Sequence, residues 1–439
     1  MHTILLCGGS GQRLWPLSGR IRSKMFLRLL PAPGGGTESM IGRVCRQLRH
    51  AGLDESLLFA AHQDQAGLVR RYTGNCYPVI GEPHKRGTFT AAALGALHLY
   101  SAGKAKPEDI LCVAPADMYA DESFFLKFHE FTDVLAASGA DLALLGTKPS
   151  APSDQYGYII PEPGSTDAYA KVLTFEEKPE IVRAQELIEA HALWNCGVFA
   201  FTLSFMLSHL EKMGLPTDAA AFIEQYPGLP VRSFDKEVAE RSAKAVVLRH
   251  EGEWGDLGSW STLAARLQTP VIGNGAIWGE ARDTHIVNEL NVPLHVIGVP
   301  GIIAVGSPEG ILIAAKKEAN RIKDILQEHS VKEPGYGEAA WGSYTLLDRT
   351  ANGTGLTLTI QLTLLPEHEI PEMDCQHSAK TWIIISGHGE VKMNGLAAAA
   401  QAGGIFTITR GQQHAIRAVS ALKLIEVRIG QAGDDERVY

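Results

Sequence analysis

Short apolar runs separated by helix-length segments constrain this chain more than any other feature of its sequence. The runs are TILLC (3–7), SLLFAAH (56–62), DILCVAPAD (109–117) and LALLGT (142–147). Between them lie 37–52, with apolar residues at helical spacing and a glycine stop at Gly52, then the alanine-rich 87–103, then 122–140. Each run reads as a buried strand and each intervening segment as a helix. Strand and helix in alternation, with short connections, give an α/β fold built on a Rossmann-like, mostly parallel sheet with helices on both faces. Ligands of such sheets bind beyond the carboxyl ends of the strands. Two segments fall there: the glycine turn after Cys7, and Asp117.

The pattern changes after about residue 265, where short β runs are broken by glycines and prolines and end in the helical segment KKEANRIKDILQEH (316–329). From about Trp341 strands dominate, with regular turns, as in a small β-sandwich or barrel. A chain of 439 residues exceeds one ordinary core, so several domains are expected. They divide as 1–265, a β-rich linking region over 266–335, and a C-terminal barrel over 336–439. The formal net charge of −9, with no long basic stretch, argues against nucleic acid. No apolar run is long enough to span a membrane, and MHTILLCGG has no basic leader. The six cysteines form no CxxC pair and no disulfide framework. A cytoplasmic protein with reduced thiols is expected, with no nucleic-acid or membrane partner. A homo-oligomer is left open.

The opening turn reads GGSGQRLWPLSGRIRSKMFL (8–27). Gly8, Gly9 and Gly11 let backbone amides approach a phosphate, and Arg13 and Lys24 add positive charge. The ending GK[ST] of a Walker loop is missing, and so is GxGxxG. With its RLWPLS core and the later Ser23-Lys24-Met25-Phe26-Leu27, the stretch resembles the signature of sugar-1-phosphate nucleotidyltransferases. More narrowly, it is similar to mannose-1-phosphate guanylyltransferases. The resemblance runs in order over about the first 260 residues: GEPHKRGTFTAAALGAL (81–97), VAPADMY (113–119), DQYGYIIP (154–161), FEEKP (175–179), WNCGVFAF (194–201) and EWGDLGSW (253–260). Two departures stand out: Met25 where the family has glutamine, and Gly87 where it has asparagine.

The resemblance implies transfer of a guanylyl group from GTP to mannose 1-phosphate, giving GDP-mannose and pyrophosphate. The nucleophile is already an oxyanion, so the chemistry needs positioning and charge neutralisation rather than a general base. By resemblance, Gly8, Gly9, Gly11 and Arg13 hold the triphosphate, while Lys24 neutralises charge at the α-phosphate or the leaving group. Lys178 binds the sugar phosphate. Glu82, Pro83 and Thr88 lie where the base is read. Glu177, Asn195 and Gly146 face the sugar, and Asp117 and Asp256 hold Mg²⁺. Read without the family, Arg13 is a surface arginine, Asp117 a helix cap, Asp256 a turn residue, and 82–88 a turn with an N-cap. Two alternatives stay open: the same chemistry on another sugar 1-phosphate or nucleoside triphosphate, and a nucleotide-sugar-binding regulator without turnover.

WIIISGHGEV (382–391) resembles the core of the cupin-like phosphomannose isomerase domain that many relatives carry at the C-terminus. There, Gln-x-His-x₄-Glu and a later histidine supply metal ligands. Here the corresponding residues are Met373, Cys375, Lys380 and His414. A protonated lysine has no lone pair to offer, so a metal-free barrel without isomerase activity is expected.

Overall fold

The computed structural model describes residues 1–9, 12–19, 21–163, 168–328, 335–353, 355–374 and 378–431. The chain forms two units, one of residues 1–9 and 24–257, the other of 10–23 and 258–439. The short segment 10–23 groups with the C-terminal part of the chain, a pairing that no local pattern announces.

The first unit is built on a nine-stranded sheet. Strands Val79–Glu82, Leu57–His62, His2–Cys7 and Ile110–Pro115 are neighbours and run parallel. This is the expected parallel core. Leu193–Thr202 then runs antiparallel to both Ile110–Pro115 and Leu142–Thr147. Leu142–Thr147 pairs parallel with Ala245–His250, and the antiparallel strands Ala170–Glu177 and Gly157–Pro161 complete the sheet. Reversing Leu193–Thr202 brings its first residues to the edge where the parallel strands end. Asn195 is placed there by this reversal.

The helix Met40–His50 starts where Ser39 accepts a bond from the Gly42 amide at 3.2 Å, an N-cap. The helix Thr88–Ser101 is buried on nearly every side, which suits its alanine-rich sequence. Its Gly95 admits the Ile4 side chain so closely that a Cβ would come within 2.9 Å of it. This helix therefore lies hard against the strand His2–Cys7, whose carboxyl end carries Gly8 and Gly9. One core unites them, with Phe89, Leu97, Val113, Leu144 and Phe201 all buried in it.

In the second unit, Val271–Gly273, His285–Asn288 and Ile302–Ser307 form parallel neighbours, with Gly310–Ala315 antiparallel at the edge. Two sheets make the C-terminal barrel, of six and four strands. Strand Gly355–Leu364 alternates half-buried and buried residues along its whole length, as one face of a barrel wall must. Leu358, Ile360, Trp382, Ile416 and Leu424 fill the interior. The expected helix after residue 316 is shorter than read, with a 3₁₀ turn Ala319–Arg321 leading into Ile322–Glu328. No described helix is long and apolar enough to cross a membrane.

Candidate active site

Two cavities open in the first unit at the carboxyl edge of its sheet. The first, of about 280 Å³, is lined by Lys24, Asp117, Tyr156, Glu177, Lys178, Asn195, Asp235 and Asp256, among others. The second, of about 160 Å³, is lined by Gly8, Gly9, His62, Glu82, Lys85, Gly87 and Thr88, among others. Gly9, on the second, has φ +107°, and a Cβ there would sit 3.9 Å from Asp117 Oδ2 on the first. Gly9 thus brings its backbone close to the Asp117 carboxylate.

Lys24 opens a 3₁₀ turn whose next two residues, Met25 and Phe26, are fully buried. Met25 is a core residue here, so the loss of the family's glutamine costs the cavity no lining group. The Lys24 ammonium lies 3.0 Å from Asp117 Oδ2 and is also hydrogen-bonded to Asp256 Oδ1. Burial works against its charge, but Asp117 and Asp256 together hold its pKa above the ordinary lysine value. Asp117 is pushed up by burial, with Asp256 adding to the shift and Lys24 opposing it. One ammonium between two carboxylates leaves a net negative charge, and the pair is aimed at a single cationic position. Among the described residues no three histidine, cysteine or acidic side chains gather into a complete metal cage. Two carboxylates with further oxygens from a substrate's phosphates is the donor set a hard divalent cation accepts.

On the other side of the same cavity, Lys178 Nζ reaches Glu177 Oε1 at 2.5 Å, and Lys178 has φ +51°. The Glu177 amide donates to Glu240 Oε1 at 3.0 Å. Asn195 is buried, with Nδ2 donating to Asp235 Oδ1 at 2.8 Å and Oδ1 accepting from the Gly197 amide at 3.0 Å. Asp235 was missed in the sequence. It opens a π-turn, Asp235–Ala239, in the stretch DKEVA, a local widening of the helix that no residue pattern marks. Burial, reinforced by the Glu177 charge, raises its pKa to about 6. Tyr156 packs on Trp194 and Trp254, with ring centroids 4.6 and 5.5 Å apart, and so forms an apolar wall. Gly146 lies deeper, paired with Asn195 on the neighbouring strand and closed in by Val247 and Leu193. It backs Asn195 and is not among the residues lining either cavity.

In the second cavity, Glu82 is buried and accepts from the Tyr226 hydroxyl at 2.6 Å. Burial raises its pKa. Thr88 is the first residue of its helix, and its Oγ1 accepts from the Phe234 amide at 2.8 Å. Pro83 follows the strand bearing Glu82. Gly87 has φ +91°, and a Cβ there would overlap the Arg232 carbonyl. The asparagine of the family cannot stand in this backbone, so the departure at Gly87 is tied to the close approach of segment 226–234. Arg13 stands in the 3₁₀ turn Gln12–Leu14 of the segment that groups with the second unit. Gly11 lies outside the described residues.

The model of the nucleotidyl transferase family matches residues 2–269. The chain belongs to that family. A second model, for the mannose-6-phosphate isomerase C-terminal domain, matches residues 327–438. The mannose-1-phosphate guanylyltransferase RfbM of Salmonella typhimurium is 28% identical, over 99% of this chain and 95% of its own. The alginate biosynthesis protein AlgA of Pseudomonas putida is 26% identical, over 99% and 94%. A crystal structure described as a mannose-1-phosphate geranyltransferase from Thermus thermophilus superposes with a TM-score of 0.63 at 28% identity, over 75% of this chain and 99% of its own. The nucleotidyltransferase therefore carries a cupin-like barrel after its catalytic part.

Among the described residues of the barrel's interior, a lysine stands where a metal ligand would have to be. Lys380 Nζ lies 3.4 Å from His414 Nε2 and 3.6 Å from Met373 Sδ. His414 Nδ1 is 3.0 Å from the Gln412 carbonyl, which makes Nδ1 the protonated nitrogen and turns the Nε2 lone pair towards the ammonium. Burial lowers the His414 pKa, in keeping with a neutral ring. Glu426 is engaged by Trp382 Nε1 at 2.7 Å and by Arg428 Nη2 at 2.8 Å. An ammonium thus sits among the residues that would have to surround a cation. Cys375 and His377 lie outside the described residues.

Proposed function

We propose that this nucleotidyltransferase transfers a guanylyl group from GTP to mannose 1-phosphate, releasing pyrophosphate. The observation that carries the reading is Lys24 held between Asp117 and Asp256 in a cavity that also presents Glu177, Lys178 and Asn195. A phosphate oxygen of the sugar 1-phosphate attacks the α-phosphorus, and the bond to the bridging oxygen breaks, so pyrophosphate leaves with the electron pair. No proton has to be removed from the nucleophile. Lys178 binds the sugar phosphate, and Glu177 and Asn195 bind sugar hydroxyls, with Asp235 orienting the Asn195 amide. The Gly8 and Gly9 amides and Arg13 hold the triphosphate. Glu82, Pro83 and Thr88 border the base.

Asp117 and Asp256 would hold Mg²⁺, which supplies charge neutralisation at the phosphates when bound. Lys24, between the same two carboxylates, would place its own positive charge beside the transferring phosphate. The catalytic part is read as 1–265, the linking region as 266–335 and the barrel as 336–439. The barrel takes no metal and performs no isomerisation. All substrates are small and soluble, which fits a cytoplasmic enzyme.

The test is pyrophosphate release with Mg²⁺, with five nucleoside triphosphates crossed against several sugar 1-phosphates. Release with GTP and mannose 1-phosphate alone, lost in Asp117→Asn and Asp256→Asn, is the expected result. Release with a different pair corrects the substrate. No release from folded, nucleotide-binding protein sinks the catalytic reading.

A further inference from the structure

The segment between Gly9 and Lys24 is flanked by residues that line the two cavities, yet it groups with the second unit, and Trp15, Pro16 and Arg22 are bonded to residues of that unit. Trp260 Nε1 donates to the Trp15 carbonyl at 3.0 Å, and Ser307 Oγ to the Pro16 carbonyl at 2.6 Å. The Trp15 ring covers Gly310 so closely that a Cβ there would lie 2.7 Å from it. Arg22 makes the strongest link. Its Nη1 and Nη2 each donate to Glu289 at 2.8 Å, a bidentate pair, and its Nε lies 3.0 Å from Glu338 Oε1. The guanidinium stacks 5.4 Å from the Tyr336 ring centroid, and the Tyr336 hydroxyl donates to Glu338 Oε1 at 3.0 Å. The side chains of Arg22 and Glu338 are only 12% and 4% exposed, so solvent screens this pair weakly.

Glu338 and Tyr336 belong to Tyr336–Ala339, the first strand of the barrel. Nothing in the nucleotidyl transfer chemistry calls for a barrel. Its first strand nonetheless supplies one arm of the grip on Arg22, and the Glu289 region supplies the other. We propose that Arg22, Glu289, Glu338 and Tyr336 form a clamp by which the C-terminal unit positions the nucleotide loop, making the barrel's first strand a determinant of nucleotide use. The inference rests on the guanylyl-transfer reading for its kinetic consequence, but not for the clamp itself. These are positioning residues, acting through the described backbone of 12–19 and 21–23.

The charges decide which variant to make. Two carboxylates face one guanidinium, so Glu338→Gln removes one and leaves the bidentate Arg22–Glu289 pair whole. Arg22→Lys keeps the charge but loses the fork and the stacking. Both are compared with wild type and with Glu367→Gln, which breaks the exposed pair to Arg417 elsewhere in the barrel. Two readouts are taken on the full chain: hydrogen exchange of peptides covering 12–23, and KM for each substrate with kcat. The expected result is faster exchange in both clamp variants. With it goes a 3- to 10-fold rise in KM for the nucleoside triphosphate, with KM for the sugar 1-phosphate within 2-fold of wild type and Glu367→Gln unchanged. Unchanged exchange in Glu338→Gln overturns the clamp, whatever the activity does. Faster exchange with unchanged nucleotide KM overturns its positioning role. A wild type inactive on every substrate pair counts against the proposed function alone, because the exchange arm still decides the clamp.

Discussion

At the scale of single residues, the two halves of the cavity lined by Lys24 and Lys178 differ in how they hold charge. Lys24 sits between two carboxylates, and removing it leaves Asp117 and Asp256 facing each other. Lys24→Met should therefore lower kcat by about 10²–10³-fold through loss of a positioned charge, with a smaller effect on KM, measured by steady-state pyrophosphate release. Asp235 holds its charge differently. Burial and the Glu177 charge raise its pKa to about 6, from an ordinary value near 3.8. A carboxyl raised in this way binds its proton more tightly in the folded protein. Its contribution to stability is present at low pH and is lost as pH rises from about 4 through about 6. For function, the ionised form is the stronger acceptor for the Asn195 amide. KM for the sugar 1-phosphate should rise as pH falls below about 6, and Asp235→Asn should flatten that limb of the profile. An identical pH profile in the variant would show that the substrate's own phosphate sets it.

At the scale of elements, what the sequence displayed was whatever depends on local spacing. The runs at 3–7, 56–62, 109–117 and 142–147 became adjacent strands or their near neighbours, because apolar residues bounded by turns leave little choice. The glycine turn and Asp117 could be placed at strand ends for the same reason. The reversed strand Leu193–Thr202 and the π-turn at Asp235 were not visible in that way. Strand direction and helix register are settled by pairing with distant segments, and neither alters the local pattern. Gly87 shows the boundary between the two kinds of information. The sequence shows a departure from the family's asparagine, and only the fold shows the Arg232 carbonyl where a side chain would have to go. Gly87→Ala should cost about 1–3 kcal/mol in denaturant unfolding. It should also weaken GTP binding more than sugar binding, since it displaces the helix start that carries Thr88. A variant as stable as wild type would mean that segment 226–234 yields without cost.

At the scale of the whole molecule, the grouping of 10–23 with the C-terminal unit was beyond sequence reading, because Arg22 and its partner Glu289 are 267 positions apart. The barrel, by contrast, was legible from its alternation. What the fold adds is the direction of the Lys380 side chain, which stands beside His414 Nε2 and Met373 Sδ as a resident cation. This separates two readings of the barrel's interior. If the site were merely vacant, added metal would shift stability slightly, chelation would not, and replacing the lysine would matter little. If the ammonium fills the site, wild-type melting should be indifferent to EDTA and to Zn²⁺. Lys380→Glu should then melt lower by the equivalent of about 3 kcal/mol, because a carboxylate replaces a cation in a buried interior that already contains Glu426. Divalent metal should recover part of that loss, since the new carboxylate and the His414 Nε2 lone pair both suit it. Calorimetry of the full chain with and without Zn²⁺ reads all of this. Metal-dependent stabilisation of the wild type would remove the ammonium from its assigned place.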